Sequence, residues 1–461
     1  MERATDTQGS VSQEIETGDV GCTASKQSAT LADQLVEASF GTRGADLTVG
    51  GVSARDLADT YGTPLYVYDA ALLRENYKNL SEAVSGFAEI YYSVKANPRR
   101  AIAETFVGEG AGLEIASARE FDIAVAAGAD PSRIIFAGPG KGAHELERAI
   151  AGGLGELHLE SFEEIEHAAR AATEQGRDQE VAIRVNPVAA ALGGAMRMGG
   201  KPTAFGFDEE ILADVVAAVR QHPRLRLGGV HLFAGTQILK ADVLLAQWRH
   251  GLKIAQRLSD LMGEPVRTID LGGGLGVPYH DGDKVLDLNQ LAQGVPALVE
   301  TIAQDVRLSD AHIVLEPGRY LTANAGVYLM QVRAVKHSRG ERFLICDGGM
   351  HHHLAASGNL GQVIKRDYPL VAADAMNDRA RSQANVVGPL CTPLDTLGRK
   401  TPMPKLSAGQ LVGVLQSGAY GVSASPVGFL SHPEPVEVLV DNGTHRAISM
   451  CDHRNGQVAE V

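Results

Sequence analysis

Three short segments of the chain combine residue types that do chemistry together. Lys95 stands in Tyr91-Tyr92-Ser93-Val94-Lys95-Ala96-Asn97, just past the apolar part of a strand-like run. A lysine held at a stiff strand end is partly desolvated, which lowers its pKa and frees the amine for a Schiff base. A lysine snorkelling from a strand end has the same sequence. Gly272-Gly273-Gly274-Leu275-Gly276 follows another apolar run, and residues without side chains let backbone N–H groups approach an anion, although such a turn also occurs with no ligand. Glu316-Pro317-Gly318-Arg319 ends a third run. A carboxylate at that depth needs a cation, which either a protonated pyridine nitrogen or an internal arginine supplies.

The elements that must position these residues alternate. Apolar, β-branched runs at residues 90–94, 113–116, 133–137, 156–160, 181–185, 227–233, 268–271 and 313–316 are separated by segments with helical spacing, among them 121–127, 145–151, 163–172, 212–219 and 243–261. Strand and helix repeated in this way predict an α/β fold, an eight-stranded (β/α) barrel over residues 70–319. Its functional groups then belong where strands end, and the loops after the seventh and eighth strands are the usual phosphate site. The glycine spacing does not fit the dinucleotide fingerprint.

After Arg319 the pattern changes to strands between turn residues, at 327–335, 343–346, 385–387, 411–415 and 436–440. Residues 320–461 therefore read as a C-terminal β-rich domain. Residues 41–69 read as a lead-in whose strand-like part, 62–68, pairs with that domain, and 1–40 as a flexible tail poor in large apolar residues.

Composition removes other classes. A formal net charge of -14 with no basic run opposes binding to nucleic acid. Four scattered cysteines, at 22, 346, 391 and 451, suit neither a disulfide framework nor a clustered zinc site, and point to a reducing compartment. No apolar run reaches the roughly 18 residues that span a bilayer, and the N-terminus lacks the pattern of a secretory signal. The expectation is a cytoplasmic protein with no membrane partner. His351-His352-His353 invites a metal reading, but adjacent residues on a strand alternate faces, so no metal is expected there.

Taken in order, these motifs resemble the fold-type III pyridoxal-phosphate decarboxylases, the family of diaminopimelate and ornithine decarboxylases. The resemblance runs from about residue 62 to 440. It implies pyridoxal 5'-phosphate held covalently by Lys95, with Gly272, Gly273, Gly274, Gly276, Gly318 and Arg319 around the phosphate and Glu316 at the pyridine nitrogen. It also implies that Cys391, in Gly388-Pro389-Leu390-Cys391, reaches a partner subunit's site as the proton donor, so that a homodimer shares its active sites. Tyr420, in Ser417-Gly418-Ala419-Tyr420-Gly421, then lies against the cofactor.

The departures from the family pattern bear on substrate. In Gly229-Val230-His231-Leu232-Phe233-Ala234-Gly235-Thr236-Gln237, Phe233 stands where a ring-stacking histidine is usual, and an aromatic face suffices for stacking. His231, two residues earlier, points the same way along the strand. Thr392 replaces the acidic residue with which diaminopimelate decarboxylases grip the far end of their substrate. The arginine and tyrosine that those enzymes carry after their Asp-Gly-Gly motif are not evident after Asp347-Gly348-Gly349. Residues 351–357, 391–393, 196–200 and 423–432 instead resemble a biosynthetic branch. That branch contains the butirosin-pathway decarboxylase of carrier-bound glutamate and the exosortase-associated decarboxylases. The implied substrate is an extended or carrier-protein-tethered amino acid, with Arg319, Thr392 and His231 lining its site; the alternative is diaminopimelate. A racemase of the alanine-racemase type is disfavoured because it carries an arginine where Glu316 stands. A non-catalytic cofactor-binding barrel lacks everything after residue 320.

Overall fold

Burial on both faces turns the eight predicted runs into eight parallel strands: Glu89–Ser93, Gly112–Ile115, Ile134–Phe136, Glu156–Leu159, Gln179–Asn186, Leu225–Leu232, Thr268–Asp270 and His312–Leu315. The first pairs with the eighth and the fourth with the fifth, which closes the barrel. The structure is a computed structural model that describes residues 29–188, 202–233, 235–360 and 365–449, with the short strands Met196–Arg197, Cys451–Asp452 and Gln457–Val458. The 196–200 segment named above lies outside the described residues apart from that first short strand.

Helices follow the strands with short loops and side-chain caps. Ser117 and Ser161 accept hydrogen bonds at 3.2 Å from the backbone N–H groups of Glu120 and Glu164, which starts each helix directly after its strand. The longest helix, Ala241–Met262, buries Trp248 and a row of leucines against the sixth and seventh strands. No helix among the described residues is long and apolar enough to cross a membrane.

The second sheet is assembled from distant segments. The thirteen-residue strand Gly326–Ser338 pairs antiparallel with Leu65–Asp69, Leu411–Val414 and Glu341–Cys346. Leu65–Asp69 pairs parallel with Val436–Asp441 on its other side. Three strands absent from the sequence prediction, Leu370–Ala372, Thr396–Met403 and Thr444–Ala447, complete it. Their short or polar sequences carry little periodic signal, and only pairing defines them. Within the predicted tail, Leu31–Ser39 is a helix with a Thr30–Asp33 capping box. Its Leu31 and Leu35 bury against Leu47, Leu65 and Val327, so residues 31–39 are ordered by packing that their composition does not reveal.

Candidate active site

Lys95 leaves the first strand in a single 3-10 turn, Val94–Ala96. Its Nζ lies 3.1 and 3.0 Å from the two carboxylate oxygens of Glu114, a residue of the second strand. Burial opposes the ammonium, yet the carboxylates of Glu114 and Glu316 raise its pKa above the ordinary lysine value. This corrects the expectation of a lysine made acidic by desolvation, since a paired carboxylate outweighs burial. Nearby Glu120 is pushed up to about 7 by burial, with Glu114 adding repulsion.

Glu316 directly follows the eighth strand and is buried. Its Oε2 faces His231 Nε2 at 3.3 Å, while Oε1 is buried without a partner. Although burial opposes ionisation, His231, Lys95 and the neighbouring Asp270 hold Glu316 well below the usual carboxylate range. Burial and the charge of Glu316 drive Asp270 far above it, so the proton of this pair rests on Asp270. Burial pushes His231 down to about 4. Behind it, His231 Nδ1 meets His158 Nδ1 at 2.9 Å, and His158 Nε2 meets Glu156 Oε1 at 3.0 Å.

The glycine loop is shaped by close approach. Gly272 and Gly274 adopt φ of 68° and 94°, and a Cβ on Gly273 or Gly274 would lie 2.3 or 2.4 Å from the carbonyl oxygens of Glu316 or Gly235. A Cβ on Gly276 would fall against Gln237, and one on Gly318 would lie 2.8 Å from Ala96. Side chains are excluded here because two loops and the Lys95 turn pack backbone to backbone. Phe233 rests beside Gly272.

Arg319 extends from Gly318 between two aromatic rings, its guanidinium 4.6 Å from the Tyr420 ring and 5.5 Å from that of Tyr279. Its NH1 donates to the Tyr279 hydroxyl at 2.9 Å, and its Nε is buried without a partner. Tyr420 comes from the second domain and is held at φ 53° by a 2.8 Å bond from its N–H to the Ala96 carbonyl. A non-glycine residue in the left-handed region is a strained position of the kind that clusters at functional sites. The structure thus gathers Lys95, Phe233, His231, the glycine loop, Glu316, Gly318, Arg319 and Tyr420 around one end of the barrel.

Cys391 and Thr392 stand apart. Cys391 is exposed, and among the described residues no contact joins either to Lys95, Glu316 or Arg319. The Thr392 hydroxyl accepts the Leu394 N–H at 3.3 Å, closing its own turn. The three histidines lie in a turn, not on the predicted strand. All three are buried, and His353 packs through Tyr368 onto Tyr279, with ring centroids 5.4 and 4.4 Å apart.

The profile described as the pyridoxal-binding domain of pyridoxal-dependent decarboxylases matches residues 70–323. The chain belongs to this family. Its cofactor is pyridoxal phosphate and its chemistry that of a carboxy-lyase. A similar protein is the L-glutamyl-(BtrI acyl-carrier protein) decarboxylase of Niallia circulans, 39% identical over 85% of this chain and 92% of its own. The diaminopimelate decarboxylase of Zymomonas mobilis is 32% identical over 87% of this chain and 93% of its own. Among solved structures, the Helicobacter pylori diaminopimelate decarboxylase complexed with L-lysine superposes with a TM-score of 0.76 at 29% identity, covering 86% of this chain and 95% of its own.

The decarboxylase site fits its cofactor by two orphaned atoms. Glu316 Oε1 offers an anionic acceptor to a protonated ring nitrogen, and Arg319 Nε offers a donor to an anion. Sequence reasoning missed Glu114, Glu120, His158 and Asp270 as members of this site. The available signal was a titratable residue inside an apolar run: Glu114 in 113–116, His158 in 156–160 and Asp270 in 268–271. Each is buried in its strand.

Proposed function

We propose that this decarboxylase acts on an extended or carrier-protein-tethered amino acid, in a site shared between two copies of the chain. Lys95 is the residue that binds the cofactor covalently, the Gly272–Gly276 loop with Gly318 and Arg319 surrounds its phosphate, and Phe233 and Tyr420 lie against it. Pyridoxal phosphate supplies an electron sink for the carbon from which carbon dioxide departs. Glu316 keeps a proton on the ring nitrogen, because a buried carboxylate stabilises the charged form. Glu114 orients the Lys95 amine and accepts its charge. Cys391 of the partner subunit delivers a proton to the substrate carbon, a role that its exposure supports.

The observation that carries the substrate reading is Thr392. In this turn a hydroxyl occupied by its own backbone stands where a carboxylate would hold a distal ammonium. The likeness to an enzyme of carrier-bound glutamate supports the same conclusion. Stranding an ammonium without its counter-charge costs about 2 to 5 kcal/mol, or roughly 30- to several thousand-fold in kcat/KM. The test is competition between diaminopimelate, glutamate, ornithine and aminoacyl-loaded carrier proteins, read as ratios of kcat/KM. Preference for a loaded carrier is the expected result, and efficient turnover of free diaminopimelate would return the chain to the lysine-forming reaction.

A further inference from the structure

Unpartnered buried atoms converge beside Glu316. His231 Nε2, Asp270 Oδ2 and Glu316 Oε1 are buried without a hydrogen-bond partner. One donor atom from each of His158, His231, Asp270 and Glu316 lies within 4.8 Å of the other three. The strands explain the convergence, because His231, Asp270 and Glu316 come from the sixth strand, the seventh and the end of the eighth, neighbours in the barrel wall.

The surrounding bonds fix which atom each residue turns inward. Glu156 Oε1 lies 3.0 Å from His158 Nε2, and a carboxylate only accepts, so that nitrogen carries the hydrogen of a neutral ring. His158 Nδ1 is then an acceptor and takes the hydrogen of His231 Nδ1 at 2.9 Å. His231 Nε2 is left bare, 3.3 Å from Glu316 Oε2. Asp270 Oδ1 accepts the Gly272 N–H at 2.7 Å, which leaves Oδ2 free. Outer bonds of this kind orient the ligands of metal sites.

Charge and spacing agree with that reading. Lys95 is paired with Glu114 at 3.0 Å and Arg184 with Glu160 at 2.7 Å, so each nearby cation already has its own carboxylate, and a buried carboxylate needs a partner or a metal. Two donors each about 2.0 to 2.1 Å from one ion, at a tetrahedral angle, stand about 3.3 Å apart. His231 Nε2 and Glu316 Oε2 have that separation.

We infer that the cofactor-free protein holds one divalent cation of the zinc class on His231, Asp270 and Glu316, with His158 and Glu156 orienting the imidazole. An imidazole nitrogen among carboxylate oxygens suits zinc and its first-row neighbours better than magnesium. The cation takes the place of the proton on Asp270, which is released. A dication on Glu316 repels a protonated ring nitrogen, so metal and pyridoxal phosphate oppose each other, and each weakens the other by the same factor. The bound cation is thus a competitor of cofactor loading.

That opposition rests on Glu316 facing the cofactor's ring nitrogen, whereas the site does not, and the experiment separates the two. Isothermal titration of the cofactor-free, full-length protein with zinc chloride should show one ion per chain, and X-ray absorption of the loaded protein should show one imidazole among oxygen ligands. His158→Gln, which removes an outer partner, should weaken zinc binding roughly 10- to 100-fold, and Asp270→Asn, which removes a ligand, by more than about 100-fold. Zinc at about ten times its Kd should raise the apparent Kd for pyridoxal phosphate about ten-fold. Absence of stoichiometric zinc overturns the site, as does any other ligand set or undiminished binding in a folded Asp270→Asn. If neither variant folds, the absorption spectrum of the wild type decides. Zinc that binds as expected but leaves the affinity for pyridoxal phosphate unchanged sustains the site and removes Glu316 from the ring nitrogen.

Discussion

Lys95 and Glu114 form an ion pair at 3.0 Å, and its sign decides how the amine is made reactive. The carboxylate favours the ammonium, so Lys95 stays charged to higher pH than a free lysine until a carbonyl ligand arrives. In Glu114→Gln that support is gone and the lysine loses its proton at lower pH. The rate at which the cofactor-free protein is acylated at Lys95 should then rise toward its plateau at a lower pH than in the wild type, as peptide mapping across a pH series will show. Borohydride reduction of the holoenzyme should place the pyridoxyl group on Lys95 in both proteins; a label elsewhere would remove the lysine assignment. At this scale the sequence was readable for lysine, glycine and Glu316, whose spacing is local. Glu114 was not readable, because its value depends on a neighbour 19 positions away that only strand pairing brings alongside.

The turns that carry Cys391 and His351 are organised by one carboxylate. Asp395 accepts the N–H of Met350 at 2.6 Å and of Leu390 at 2.9 Å. It also fills the space over Gly349 and Gly388, where a Cβ would lie within 2.3 Å of its oxygens. Asp395→Ala leaves two buried donors unsatisfied, at a cost of about 1 to 3 kcal/mol each. Urea unfolding should show a loss of about 2 to 6 kcal/mol, while Asp395→Asn, which keeps an acceptor, loses less. An unchanged midpoint in Asp395→Ala would show that the two turns hold without it. Elements were legible in proportion to their regularity. All eight barrel strands coincide with a short apolar run, whereas Thr396–Met403, with Gly398, Arg399 and Lys400 inside it, does not.

For the whole molecule, the separation of Cys391 from Lys95 makes a claim about stoichiometry. If each site takes its lysine from one chain and its thiol from another, Lys95→Ala and Cys391→Ala are each nearly inactive alone. Dissociated and reassociated in equal amounts, they form mixed dimers with one complete site, and activity should recover to about a quarter of the wild-type value. Cys391→Ala itself should still bind cofactor, since no cofactor-facing atom is removed. Absence of recovery in verified mixed dimers would place both groups in one chain. Such an arrangement is out of reach of residue patterns: a turn ending in an exposed cysteine has the same sequence whether or not a neighbour receives it.

Leu65–Asp69 lies between Gly326–Ser338 and Val436–Asp441, so a strand made early by the ribosome waits for two partners made much later. Its five residues are all buried in the finished protein, and until residue 436 emerges at least one edge has nothing to bond. Loop-closure entropy is met before this sheet rewards it, and an open apolar edge on a nascent chain is prone to pair with the wrong strand. The same late event brings Tyr420 to Arg319. Biogenesis therefore ties the finished pocket to completed synthesis: a chain truncated before residue 420 lacks the Tyr420 wall beside Arg319, and one truncated before residue 436 leaves an edge of Leu65–Asp69 unpaired.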